Sequence, residues 1–128
     1  MDGILLDTCA LVWLATGDRK LSRGARERIR TSPAVYVSPV SAWEIARKYK
    51  KGDLILPIEP QTLFDEAVAK YGVLLLPLDV RTMFKASKLP EIHKDPADRF
   101  IIASALFYDL AVATGDHRFP AYGVKTFC

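Results

Sequence analysis

Four acidic residues, Asp7, Glu44, Asp98 and Asp116, fall where a folded chain could use them together. Asp7 closes the apolar run Ile4-Leu5-Leu6, and Asp116 follows Leu110-Ala-Val-Ala113 after Thr114 and Gly115. Glu44 and Asp98 each fall in the first turn of a segment with helical period. Carboxylates held within a few ångströms repel and raise one another's pKa values. Such a cluster is sustained where divalent cations or phosphate chemistry offset the charge. An all-acid, histidine-poor pocket suits Mg²⁺ or Mn²⁺ better than zinc, and hydrolysis of phosphodiesters is chemistry those ions support.

Each acid also has a plain structural explanation. Ser41-Ala-Trp-Glu44 fits a capping box, with Ser41 as N-cap and Glu44 reaching back to its amide. Asp95-Pro-Ala-Asp98 reads as an N-cap followed by proline and a first-turn acid, and Asp7 and Asp116 serve equally as turn or cap acids. Among their neighbours, Thr8 and Thr114 carry hydroxyls that either bond a site carboxylate or close a local turn. His93 and His117 are too far apart in sequence to suggest a metal pair, and His93 is expected at the surface or behind the ligands. Cys9, Trp13 and Trp43 stand among aliphatic residues and are expected in the core.

The elements that must position these groups are short. Ile4–Leu6, Val35–Val37, Val73–Leu76, Leu110–Ala113 and Val124–Phe127 read as strands, the last at a sheet edge. Helical periods cover Thr8–Ala15, Leu21–Arg30, Ser41–Lys50, Pro60–Tyr71, Asp79–Leu89 and Pro96–Tyr108. Alternation of this kind implies an α/β fold with a mainly parallel central sheet and helices on both faces. In such a sheet, strand ends and the starts of following helices share one edge, where four acids from distant positions can meet. Residues 1–128 are expected to form one domain.

Composition narrows the class further. No apolar run approaches the roughly 20 residues of a bilayer span, and the N-terminal stretch lacks a secretory pattern, so the cytoplasm is expected. The two cysteines, Cys9 and Cys128, form neither a disulfide framework nor a zinc motif. Lys and Arg number 18 against 15 acids, and the basic residues crowd Arg19–Arg30 and Arg47–Lys51. With the four candidate acids set aside, the remainder is clearly cationic, as a holder of a phosphate backbone would be.

Four stretches together resemble the PIN-domain family, and within it toxins of the VapC type from type II toxin–antitoxin pairs. They are Leu5-Leu-Asp-Thr-Cys-Ala-Leu-Val-Trp13, Val37-Ser-Pro-Val-Ser-Ala-Trp-Glu-Ile45, His93-Lys-Asp-Pro-Ala-Asp-Arg-Phe-Ile-Ile-Ala103 and Ala113-Thr-Gly-Asp-His-Arg-Phe119. The likeness runs in order from Ile4 to Phe127. It implies a PIN-like domain with Asp7, Glu44, Asp98 and Asp116 as site acids and metal ligands. It also implies Mg²⁺- or Mn²⁺-dependent endoribonuclease activity on RNA, a homodimer and an inhibiting antitoxin protein. Apolar faces on the early helices are the expected place for a second subunit or that antitoxin.

Rival readings are weaker. A dehalogenase-like phosphatase needs a second aspartate two residues after the first, where Cys9 stands, and no P-loop is present. A receiver domain needs acids grouped near the N-terminus, which Met1-Asp2 does not provide. A non-catalytic RNA-binding or regulatory module of the same fold is the alternative from another class, although such a module would usually have lost one of the acids.

Overall fold

A computed structural model describes residues 3–128; Met1 and Asp2, at the start of the N-terminal stretch considered above, lie outside it. The chain order is β1 (Ile4–Leu6), α1 (Thr8–Thr16), α2 (Arg23–Thr31), β2 (Val35–Val37), α3 (Pro39–Lys51), α4 (Pro60–Tyr71), β3 (Leu74–Leu75), α5 (Val80–Ser87), α6 (Pro96–Tyr108), β4 (Ala111–Ala113) and β5 (Thr126–Phe127). A 3₁₀ turn, Phe119–Tyr122, lies between the last two strands. All five strands are parallel, in the order β3-β2-β1-β4-β5.

The period-2 geometry of the strands sorts their side chains into two cores. Ile4 and Leu6 of β1 point to one face with Val35 and Val37, packing on Leu11, Leu14, Ile29, Ile45 and Leu63 from α1 to α4. Leu5 and Val112 point to the other, against Ile101, Ile102 and Ala105 of α6 and against Phe119. Burial on both faces is why β1 reads as an unbroken apolar run rather than an alternating one.

The side on which successive strands are added switches at β1. From β1 the chain builds outward through β2 to β3, then crosses to β4 on the other side of β1. A parallel sheet opens a crevice at such a switch, outside the carboxyl ends of the strands. Asp7 lies at that end of β1, and Asp116 lies three residues past the end of β4.

The helix starts position the other two acids, one of them differently from expectation. Asp95 caps α6, its Oδ1 accepting from the N–H groups of Ala97 and Asp98 at 2.9 and 3.4 Å, which leaves Asp98 in the first turn. Helix α3 starts earlier than the capping-box reading allows. Its N-cap is Ser38, whose Oγ accepts from the Val40 N–H at 3.2 Å, with Pro39 in the first turn. Ser38-Pro39 is the stronger start signal, because proline there needs no hydrogen bond and its φ is already helical. Glu44 therefore falls in the second turn, and Ser41 is buried against Thr8, their hydroxyls 3.0 Å apart.

Three further expectations give way. Cys9 is exposed rather than in the core, because it stands on the outward side of the first turn of α1. Trp43 is 57% exposed, with the Arg47 guanidinium 4.9 Å from its ring centroid. The early helices α1 and α2 carry none of the large exposed apolar residues, which gather on α5 (Val80, Met83, Phe84), on the edge strand β3 (Leu74, Leu75) and at Ile55, Ile92 and Phe107. Helix α2 instead buries Ala25 and Ile29 and turns arginines outward.

Candidate functional site

All four acids come together at the carboxyl edge of the sheet. Asp7, Glu44, Asp98 and Asp116 line one cavity of about 230 Å³, with Thr8, Cys9, Trp13, Lys48 and Arg118 in its walls. A wider hollow of about 530 Å³ shares Asp98, Asp116, Lys48 and Arg118 with it and adds His93 and Lys94. Another cavity, about 540 Å³, lies at the opposite edge beside Gly3, Asp109 and Ala111 and contains none of the acids.

Asp7 has both of the roles weighed for it. Its Oδ1 accepts from the Ala10 N–H at 2.7 Å, capping α1, while the carboxylate faces the cavity. Burial pushes its pKa up to about 6; bonds from Thr114 and Ala10 oppose that, and the Glu44 and Asp116 charges add to it. Thr114 thus ties two acids together, because its Oγ1 also accepts from the Asp116 N–H at 3.0 Å. Asp98 is pushed up to about 7, first by burial and then by the charges of Asp95, Glu44, Asp7 and Asp116.

Glu44 is almost wholly buried. Its Oε2 meets Lys48 Nζ at 3.3 Å, and its Oε1 has no hydrogen-bond partner. An orphaned carboxylate oxygen in the interior is costly, and its natural complement is a cation. Asp116 is the opposite case. Hydrogen bonds from the Arg118 side chain hold its carboxyl well below the usual range, and the Arg118 N–H and His93 add to the effect.

His93 belongs to the centre of this cluster, behind the ligands rather than at the surface, the two places expected for it. It is buried, and its Nε2 lies 2.9 Å from Asp116 Oδ2 and 3.0 Å from Asp98 Oδ2. The Asp95 N–H points at Nδ1 at 3.2 Å, so Nδ1 accepts and the ring proton resides on Nε2. His93 is therefore a donor that draws Asp98 and Asp116 together. Proximity alone would group His93, Asp98 and Asp116 as ligands, but an Nε2–H cannot bind a metal. The available sequence signal was Asp95, which bonds the ring from inside the same motif.

Arg99, also in that motif, fixes the loop that carries His93. Its Nη1 donates to the carbonyls of Pro90 and His93 at 2.9 and 3.1 Å, and its Nη2 to those of Ala86 and Leu89 at 2.8 and 2.9 Å. Tyr122 closes the other side, accepting from the His93 N–H at 2.7 Å and donating to the Pro90 carbonyl at 2.8 Å. Gly115 has a local reason as well: a Cβ there would sit 3.0 Å from the Trp13 ring, which packs against the loop leading to Asp116. Thr8, paired with Ser41, bonds no site acid through that contact.

The donor set is thus three carboxylates with spare or strained capacity and a fourth already saturated, all oxygen. It fits a hard divalent cation among Asp7, Glu44 and Asp98. A family model for the PIN domain matches residues 4–125. The chain belongs to the PIN domain family.

Solved structures repeat this fold at low sequence identity. VapBC2 from Rickettsia felis, bound to a DNA fragment from its promoter, aligns with a TM-score of 0.73 at 12% identity over 98% of this chain and 97% of that one. DNA-bound VapBC from Salmonella typhimurium gives 0.70 at 15% identity, covering 99% and 98% of the two chains. FitAcB from Neisseria gonorrhoeae gives 0.64 at 21%, covering 98% and 96%. No curated protein matches the sequence. No helix among the described residues is long and apolar enough to cross a membrane.

Proposed function

We propose that this PIN domain is a metal-dependent endoribonuclease, the toxin of a type II toxin–antitoxin pair. PIN domains are generally nucleases that use divalent metals, and the fold is shared with the VapBC and FitAB assemblies. The observation that carries the reading is the unpartnered, buried Oε1 of Glu44 beside two carboxylates whose pKa values burial has raised. An acid cluster with that deficit is completed by Mg²⁺ or Mn²⁺.

Asp7 and Asp98 would be the principal ligands, with Glu44 turned to the same ion. A bound cation supplies Lewis-acid stabilisation of charge developing on the phosphoryl group and lowers the pKa of a nearby water. The protein's residues do the rest. His93 fixes the orientation of Asp98 and Asp116 through its Nε2–H. Asp116 would orient the attacking water or a second ion once the Arg118 side chain releases it. Lys48, Lys94 and Arg118 line the cavities and would hold phosphates on either side of the scissile bond. Hydrolysis by this route leaves 5′-phosphate and 3′-hydroxyl ends.

An antitoxin partner follows from the same family reading. A homodimer accords with the apolar stripe Val80, Met83 and Phe84, which sit at helical spacing on α5 and are all exposed. Sedimentation at micromolar concentration is expected to show the dimer, and a monomer would count against it.

The test is cleavage of a mixed RNA pool with Mg²⁺ or Mn²⁺, beside an EDTA control and folded Asp7→Asn and Asp98→Asn variants. Cleavage is expected to stop with EDTA and to fall at least about a hundredfold in each variant. Products ending in 2′,3′-cyclic phosphate would exclude the mechanism, since they require the ribose 2′-hydroxyl as nucleophile. RNA retained but never cut would favour a binding module.

A further inference from the structure

Asp116 has no free lone pair. Its Oδ1 accepts from the Arg118 N–H at 2.9 Å and from Arg118 Nε at 3.0 Å. Its Oδ2 accepts from Arg118 Nη2 at 2.8 Å and from His93 Nε2 at 2.9 Å. A carboxylate offers about four acceptor positions, and all are taken. Glu44, facing the same cavity, has an oxygen with no partner at all. The two ends of the acid cluster thus differ in capacity: Glu44, paired with Lys48 through Oε2 alone, keeps one oxygen open, while both oxygens of Asp116 are filled from within the chain.

The hold is strong in geometry and easily released in place. Nε and Nη2 make the parallel two-point contact that guanidinium gives to carboxylate, the best-directed ion pair available to a protein. Yet the Arg118 side chain is 47% exposed, on a loop residue at the mouth of both site cavities, so rotation about its side-chain bonds swings the guanidinium outward without disturbing the core. The backbone N–H bond and the His93 bond remain when it leaves, and they keep Asp116 in position.

We propose that Arg118 is an internal stand-in for a cation, competing with divalent metal for Asp116, and that once displaced it binds a phosphate oxygen of the nucleic-acid substrate. The proposal rests on the metal-dependent reading given above. Arg118 couples the two loading events: metal at Asp116 frees the guanidinium, and a phosphate beside the cavity gives it somewhere to go. An empty site stays closed on itself, and metal and substrate each favour the other's entry.

Calorimetric titration with Mn²⁺, needing no turnover, tests the first half. Arg118→Gln is expected to bind Mn²⁺ roughly threefold to tenfold more tightly than the unmodified chain, the scale of a partly exposed, two-point ion pair. Lys94→Gln removes the same charge from the same rim and is expected to change Mn²⁺ affinity less. In an Asp116→Asn background the Arg118→Gln effect is expected to vanish. Unchanged or weaker Mn²⁺ binding by Arg118→Gln, or an equal gain from Lys94→Gln, overturns the competition. Absence of Mn²⁺ binding in every protein overturns the metal site itself, and the competition with it. For the second half, a short RNA oligomer is titrated in Ca²⁺, with melting temperatures confirming that each variant is folded. Arg118→Gln is expected to bind it several-fold more weakly, and equal binding would remove the phosphate role.

Discussion

The carboxylates of Asp7 and Asp98 make the metal-free molecule sensitive to pH in a direction opposite to that of most buried ion pairs. Both are acids whose folded pKa, about 6 and about 7, lies above the ordinary 3.8. The folded state therefore binds their protons more tightly than the unfolded state, and stability declines as pH rises from about 4 through about 7. Asp116, held low by Arg118, acts the other way: its contribution is complete above 3.8 and is lost only in stronger acid. Between those limits the two raised acids dominate. The melting temperature of EDTA-treated protein is expected to fall between about pH 4 and about pH 7, and the rise on adding Mg²⁺ to grow over the same interval. A flat profile would mean that burial does not hold protons on these two carboxyls. Their positions were legible from sequence because strand ends and helix starts are marked by apolar runs and caps. The states of the acids were not legible, since burial of Glu44, saturation of Asp116 and the insertion of His93 between carboxylates depend on contacts between distant segments.

At the scale of elements, the segment from α5 to α6 is held by side chains rather than by a regular ladder. Arg99 supplies four hydrogen bonds to carbonyls of that segment, and its side chain is only 12% exposed. Lysine keeps the charge but replaces the planar fork with a single nitrogen, so several of those carbonyls would lose their partner. Arg99→Lys is expected to lower stability by about 2–3 kcal/mol in denaturant unfolding, on the scale of bonds from charged donors. His93 should move with the segment, weakening Mn²⁺ binding as well; a variant of unchanged stability would show that the loop is fixed elsewhere. Periodicity put α4 and α6 at their observed bounds and α5 within two residues of them. It misplaced the start of α3 because Ser41 and Glu44 imitate a capping box one turn past the true start at Ser38-Pro39. It also missed the exposure of Cys9 and Trp43, since an apolar residue beside apolar neighbours does not reveal which way it faces.

Over the whole molecule, positive charge surrounds a negative centre, and that arrangement predicts how binding responds to salt. If Lys48, Lys94 and Arg118 each neutralise one phosphate of a single strand, the logarithm of RNA affinity falls against the logarithm of salt concentration with a slope of about −2. A markedly steeper slope, measured in Ca²⁺ to prevent cleavage, would bring the basic face of α2 into the contact. The sheet order has a consequence of another kind, in time. Strand β1 is central, and the crevice beside it exists only when β4 has docked on its far side, carrying Asp116 with it. At about 5–20 residues per second, Asp7 is synthesised roughly 5 to 20 seconds before Asp116. During that interval the nascent chain has an incomplete sheet and no assembled acid cluster. The acid cluster, and the chemistry it carries, is thus absent until β4 has been made and has docked beside β1.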